Sequence, residues 1–278
     1  MNLFDLHDKV AVVTGGAGLL GAEFCQALAQ AGASVAIVDI NTTSAGLVAE
    51  SLARLGYPTR AIAADITNPT SVEQMVAATL EAFGRLDILV NSAALDPKFD
   101  PQHLDESAQA NTASGAFETF PLSAWQQALD VNLTGAFLCC QAAVKPMLAQ
   151  GAGVIINVAS MYGLVGPDQR LYQESAPAGQ PPKYKPVYYT VTKAGILGLT
   201  RYLAAYYAGQ NIRVNALTPG GVFNGHQDDF VQAYSARSIL GRMARKDEMN
   251  GALLFLASQA SSYMTGANLV VDGGWTAW

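Results

Sequence analysis

The chain is 278 residues long, half of them hydrophobic and 14% charged, which suffices for one large buried core. No run of about 18 apolar residues is available to span a bilayer. A net charge of -6 without clustered lysine or arginine leaves no electrostatic footprint for nucleic acid.

In chain order, residues 1–9 hold Asp5 and Asp8 and no basic segment followed by an apolar one, so no secretory signal is expected and the expected location is the cytoplasm. Short β-rich apolar runs then follow at 10–13, 34–38, 60–63, 88–90, 154–158, 213–216 and 269–271, separated by helical patterns. Gly32, Gly56, Gly84 and Gly151 sit just past helical stretches, where a left-handed residue ends a helix. Asn68-Pro69 suits a helix start, and Ser123 with Gln126 after Leu122 reads as a capping box. The rhythm predicts an α/β fold: one domain over 1–278, a Rossmann-type doubly wound parallel sheet with helices on both faces. Cys25, Cys139 and Cys140 fall in predicted helices with neither disulfide nor metal spacing, and are expected as reduced core thiols. His7, His103 and His226 are scattered, so no metal is assigned.

The segment Thr14-Gly15-Gly16-Ala17-Gly18-Leu19-Leu20-Gly21 lies directly between the first strand and the first helix. In that setting Gly15 permits the tight turn, Gly18 lets the backbone approach a pyrophosphate, and Gly21 allows close packing of helix on strand. Leu19 and Leu20 open a helix whose N–H groups and dipole favour phosphate. Asp39, with Ile40 behind it, ends the second strand about 20 residues on, where a carboxylate accepts from the adenosine ribose and repels a 2′-phosphate. The cofactor expected is therefore NAD. Tyr189 and Lys193, spaced i, i+4, share one helix face. An ammonium there favours the ionised phenol and makes it a proton acceptor near neutral pH.

Further landmarks complete a pattern: Ala64-Asp65-Ile66, Asn91-Ser92-Ala93-Ala94, Val131-Asn132-Leu133, Asn157-Val158-Ala159-Ser160, NIRVNALTPGG with Pro219-Gly220, and Val271-Asp272-Gly273-Gly274. In this order, over essentially the whole length, the chain resembles the short-chain dehydrogenase/reductase family. The resemblance implies that Ser160, Tyr189, Lys193 and Asn132 form the catalytic group. It implies that Asp65 and Ile66 border the adenine, that Asn91, Ala93, Pro219 and Gly220 belong to the cofactor site, and that Val222 backs the nicotinamide carboxamide. Local wording around Thr218 to Asn224 and Gly251 to Leu256 is similar to members linked to flagellin glycosylation and surface-sugar synthesis. Departures are Leu19 in place of the middle glycine, which is similar to the extended epimerase branch, Ser92 and Ala94 within the Asn-Asn-Ala-Gly motif, and Asn224 in place of a threonine.

The activity this implies is hydride transfer between NAD and a secondary alcohol or ketone, with Tyr189 as proton acceptor, Ser160 donating to the substrate oxygen and Asn132 holding a water that links Lys193 to solvent. Two long segments, about 95–121 and 163–187, leave the carboxyl ends of strands and are expected to wall the substrate site. The first carries Lys98, His103, Asp105 and Glu106; the second carries Asp168, Arg170, Glu174, Lys183 and Lys185. Their polar and ionic side chains suit a sugar, sugar derivative or polyol, hydroxyl-rich or anionic, with Arg170, Lys183 or Lys185 engaging it. The alternatives are a sugar-nucleotide epimerase or dehydratase using the same residues, and a non-catalytic NAD-binding sensor. A homo-oligomer, dimer or tetramer, is expected, with the helices near 137–144 and 196–207 as candidate faces.

Overall fold

The computed structural model describes residues 2–95, 111–173 and 182–278. Lys98, His103, Asp105, Glu106 and Glu174 lie outside that range. Seven strands, β1 (Val10–Thr14), β2 (Ser34–Asp39), β3 (Thr59–Ala63), β4 (Ile88–Asn91), β5 (Gly153–Val158), β6 (Ile212–Pro219) and β7 (Asn268–Val271), form one sheet in the order β3-β2-β1-β4-β5-β6-β7. Every pairing is parallel. Each apolar run predicted as a strand is one.

The sheet is buried on both faces because β1 (VAVVT) has no polar alternation: Ala11 and Val13 point to one core layer, Val12 to the other. The first layer packs under α1 (Leu19–Gln30) and α9 (Asn250–Ala257), through Phe24, Leu28, Leu253 and Leu256. The second packs under α3 (Pro69–Phe83) and α5 (Ala136–Gln150), through Val72, Met75 and Met147. Cys139 and Cys140 belong to this second layer and Cys25 to the first; all three thiols are free and buried. Burial pushes the Cys140 thiol up to about 12 and the other two further, which keeps them protonated and unreactive.

Helix boundaries follow local chemistry. α2 (Thr42–Arg54) is capped by the Asn41 side chain accepting from the Ser44 N–H, and α3 by Asn68 accepting from the Ser71 N–H with Pro69 at its first position. Gly84 and Gly151 end α3 and α5 in the left-handed conformation. The capping box at Ser123 and Gln126 is not formed. α4 (Leu122–Leu129) begins two residues earlier than that box implies, after an extended Pro121 with no side-chain cap, and Gln126 is drawn to Asp130, donating at 2.9 Å. From α4 the chain runs through a π-helical stretch, Asp130–Gly135, into α5. A single turn α6 (Arg170–Gln173), the long α7 (Val187–Tyr206) and α8 (Asp228–Ser235) complete the helices named here.

Candidate active site

Strand order reverses between β1 and β4, and the carboxyl ends of the strands there open on a cleft of about 1350 Å³. That exceeds the roughly 300–1,000 Å³ of a usual small-molecule pocket, which leaves space for a dinucleotide and a second ligand together. The glycine-rich turn forms one wall. Gly15 has φ +63°, and a Cβ on it would come within 2.7 Å of the Ala93 Cα; a Cβ on Gly21 would come within 2.0 Å of the Gly15 carbonyl oxygen. Gly18 stands extended as the N-cap of α1, contributes no capping side chain and is followed by no acid in the first turn. The N–H groups of Leu19, Leu20 and Gly21 therefore open on the cleft as a positive helix end without an internal partner. A cradle that no Cβ fits and a set of free donors match the pyrophosphate of a dinucleotide.

Asp39 ties this wall together. Its Oδ2 accepts from the Ala17 N–H at 3.1 Å and its Oδ1 from the Asn41 N–H at 3.0 Å. The cap of α2 is Asn41, so Asp39 is left at the strand end facing the cleft beside Ile40. Asp65 and Ile66 line the same end, the Asp65 carboxylate accepting from the backbone and hydroxyl of Thr67. Thr14 links the ends of β1 and β4, its hydroxyl oxygen accepting from the Ser92 and Ala93 N–H groups.

At the other end β5 delivers Ser160 and α7 delivers Tyr189 and Lys193. Ser160 is extended, and its hydroxyl accepts from the Tyr162 N–H at 3.2 Å, capping the short turn Met161–Gly163. That turn lies against α7 so closely that a Cβ on Gly163 would be 2.7 Å from the Lys193 backbone. Lys193 is 6% exposed and its Nζ donates to the Val158 carbonyl at 2.8 Å, 5.8 Å from the centre of the Tyr189 ring. Among the three tyrosines near this motif, Tyr188 is fully buried and packs near Phe120, whereas Tyr189 and Tyr184 face the cleft. Pro219, Gly220 and Val222 line the wall beside β6, held by a bridge between Val222 and Ala244.

Three residues lie elsewhere than the sequence pattern suggests. Asn91 does not line the cleft. It is buried in the sheet, donating to the Asn157 Oδ1 at 2.8 Å, and Asn157 donates in turn to the Thr200 hydroxyl. Asn132 sits in the π-helical stretch with its amide clamped on Leu95, accepting from the N–H at 2.6 Å and donating to the carbonyl at 3.2 Å. Its side chain thus pins the exit of β4 and also reaches the hydroxyl of Thr192, the residue before Lys193, at 3.5 Å. Arg170 leaves the cleft altogether, paired with Asp168 at 2.8 Å on a 74% exposed side chain. The hydrogen bond from Arg170 holds the Asp168 carboxyl at about 2, and Arg237 engages the same carboxylate at 3.0 Å. Lys183 and Lys185 do line the cleft.

An aromatic wall closes the substrate side and has no mark in the sequence pattern beyond its spread through three segments. Tyr162 and Tyr172 share a hydrogen bond at 3.1 Å, Tyr172 packs on Phe230, and His226 stacks on Phe230 at 5.1 Å. Tyr234 is 3% exposed, stacked on Trp275 at 4.3 Å, and its hydroxyl accepts from the Gly221 N–H. Burial raises the Tyr234 phenol above its ordinary value, so it stays neutral, holding the Gly220-Gly221 turn as an acceptor while its O–H donates to the Met161 Sδ at 3.5 Å. Among the described residues no three metal-ligating side chains gather into one group.

Comparison with known proteins places this geometry. Residues 16–276 match a family model described as enoyl-(acyl carrier protein) reductase. The chain is 36% identical to a D-threitol dehydrogenase of Mycolicibacterium smegmatis, over 98% of this chain and 95% of that one. It is also 36% identical to a cis-4-hydroxycyclohexanecarboxylate dehydrogenase of Sinomonas cyclohexanicum, over 97% of each. Among solved structures, a gluconate 5-dehydrogenase from Burkholderia cenocepacia in complex with NADP and tartrate superposes with a TM-score of 0.81 at 26% identity, covering 100% of this chain and 98% of that one.

The clash at Gly21 sets a test of the cradle. Gly21→Ala is expected to fold but to lose at least about tenfold in dinucleotide affinity, since relieving a 2.0 Å contact must displace the Gly15 turn. Gly46→Ala in α2, with nothing within 4 Å, should leave affinity unchanged. Fluorescence titration with reduced dinucleotide, alongside thermal melts, checks both.

Proposed function

This chain belongs to the short-chain dehydrogenase/reductase family and is an oxidoreductase acting on CH–OH groups; from that premise we propose that it is an NAD-dependent dehydrogenase of a secondary alcohol on a sugar, sugar derivative or polyol. The observation that carries the reading is the meeting of Ser160, Tyr189 and Lys193 on one cleft with the glycine turn and Asp39. Bound nicotinamide dinucleotide supplies the hydride acceptor or donor. In the oxidative direction the Tyr189 oxygen takes the hydroxyl proton, and the Lys193 ammonium, fixed on the Val158 carbonyl, stabilises negative charge on that phenol. Ser160 donates to the substrate oxygen as its charge grows. With its amide clamped on Leu95, Asn132 acts through the shape of the π-helical stretch.

Support for the substrate class comes from the names of the relatives, a tetritol dehydrogenase and a dehydrogenase of a hydroxy acid, and from the hydroxyls of Tyr162, Tyr172 and Tyr184 around the site. NAD is the cofactor we favour because the Asp39 carboxylate suits a free ribose diol and repels a 2′-phosphate; the NADP in the Burkholderia structure makes this the point to test. The described ends of the two long segments meet at the cleft, where the Tyr184 N–H donates to the Ser114 carbonyl at 2.8 Å, which suits a wall around substrate. We further propose a homo-oligomer built on α5 and α7, where Phe137, Tyr202 and Tyr206 are 45%, 63% and 66% exposed.

Three outcomes are expected. Tyr189→Phe should cut kcat on a polyol substrate by at least about 10³-fold, the scale of a lost general base, with dinucleotide affinity within about threefold of wild type. Tyr188→Phe, altered only in the core, should retain turnover. Asp39→Ala should narrow a preference for NAD over NADP, measured by titration with both; equal binding by the wild type would remove the assignment. Light scattering of the purified chain should give a multimer, shifted toward monomer in the Tyr202→Ser, Tyr206→Ser double variant.

A further inference from the structure

The turn that follows β6 is a thin wall. Gly220 and Gly221 line the cleft, and together with Tyr234 they also line a second cavity, of about 160 Å³, whose other sides include Leu240, Met249 and Asp272. With space on both sides, the turn keeps its place by hydrogen bonds more than by close packing. Among the described residues three such bonds tether it. The Gly220 N–H donates to the Val271 carbonyl at 2.9 Å, the Ala244 N–H donates to the Gly221 carbonyl at 3.0 Å, and the Gly221 N–H donates to the Tyr234 hydroxyl. The first two join main chain to main chain. The third depends on one side chain.

That side chain is held firmly. The Tyr234 ring is buried, stacks on Trp275 and shares a cluster with Met161, Tyr162 and Met243. A Cβ on Gly221 would come within 2.5 Å of the ring, so glycine at that position is what lets the phenol reach the backbone. Because burial raises the phenol above its ordinary value, the oxygen keeps its proton and has one to donate. The acceptor is the Met161 Sδ at 3.5 Å. Met161 directly follows Ser160 and opens the turn Met161–Gly163 that the Ser160 hydroxyl caps. One oxygen therefore touches the wall after β6 on one side and the turn that carries Ser160 on the other.

We propose that Tyr234 is a positioning residue for hydride transfer, its phenol oxygen setting the separation between the Ser160 turn and the wall at 220–222. The inference rests on the oxidoreductase reading of the cleft, in which that wall backs the nicotinamide and Ser160 meets the substrate oxygen. Tyr234 takes no proton from the substrate, a task that falls to Tyr189. What it fixes is where the nicotinamide stands relative to the reacting carbon, and a misplacement of about 1 Å costs on the order of 100-fold in rate. Phenylalanine at this position would remove the oxygen and leave the Gly221 N–H without its acceptor, beside a cavity into which the turn can relax. The stack on Trp275 survives that change, and with it the fold.

The test separates the two ends of the dinucleotide. In Tyr234→Phe, affinity for NADH, or for NADPH where the wild type prefers it, should fall about tenfold by fluorescence titration, while affinity for the nicotinamide-free ADP-ribose or its 2′-phosphate stays within about twofold. Turnover of a polyol should lose about ten- to a hundredfold in kcat with KM for the polyol changed less than about threefold. Amide hydrogen exchange should quicken over 219–222 and 160–163 and stay as it was in the rest of the sheet. Met161→Leu should quicken exchange over 160–163 alone, and should add little to the kcat loss when combined with Tyr234→Phe. A Tyr234→Phe protein that binds reduced dinucleotide and exchanges like the wild type overturns the inference and leaves the oxidoreductase reading standing. Equal losses of affinity for reduced dinucleotide and ADP-ribose, with a lowered melting temperature, overturn it too, since Tyr234 would then support the fold and not the nicotinamide. Should Tyr234→Phe not fold, Met161→Leu decides: exchange over 160–163 at the wild-type rate overturns the inference. A wild type that binds neither reduced dinucleotide removes the oxidoreductase reading itself.

Discussion

A buried ammonium sets the terms for this site. Lys193 is 6% exposed, and a charge taken so far out of water costs several kcal/mol unless it is paired and hydrogen-bonded. Donation to the Val158 carbonyl supplies one partner and at the same time locks α7 against the end of β5. The short turn after Ser160 is pressed onto the same stretch of helix, close enough that only glycine fits at position 163. Ser160 and Tyr189 are thereby brought to one wall of the cleft through the requirement to satisfy a single lysine. Their positions depend on main-chain contacts that tolerate little change.

The other half of the cleft is built by exclusion. The glycine turn and α1 approach so closely that side chains at 15 and 21 would overlap backbone, and the helix presents its first N–H groups without a capping side chain. Asp39 accepts from the turn and from Asn41, so the acid at the end of β2 also braces the glycine turn. Binding and scaffold share these atoms. The other end has a different character: aromatic rings and hydroxyls from three segments, among them Trp275, which stacks on Tyr234 and so supports the Gly220-Gly221 turn.

Polar residues that look alike in the chain divide by where the sheet puts them. Asn91 at the end of β4 and Asn157 one position before the end of β5 are register partners, and their amides meet across the pair at 2.8 Å in the interior. Asp65, two positions beyond the end of β3, is turned outward by the Thr67 contacts and reaches the cleft. Arg170 is captured by Asp168 two residues away before it can reach any ligand, an ion pair that Arg237 reinforces.

By itself the sequence determined the strands, their parallel arrangement and the glycine cradle, because these follow from short-range rules: uninterrupted apolar runs for a doubly covered sheet, glycine wherever backbone must approach backbone, and Asn or Pro at helix starts. It also marked Tyr189 over Tyr188 and Tyr184 through the four-residue spacing to Lys193. Tertiary structure alone decided what side chains from distant segments do to one another. The aromatic wall joins Tyr162, Tyr172, Phe230 and Tyr234 across more than 70 residues of chain, the Asn132 amide is taken by Leu95, and the Lys185 backbone is fixed by the Gln169 amide. The α4 start shows the same limit at short range, since an extended Pro121 and the pull of Asp130 on Gln126 outweigh a capping box that the residue types permit. A motif lists the groups able to interact; which partner each one takes is set by the packing that brings competing partners within reach.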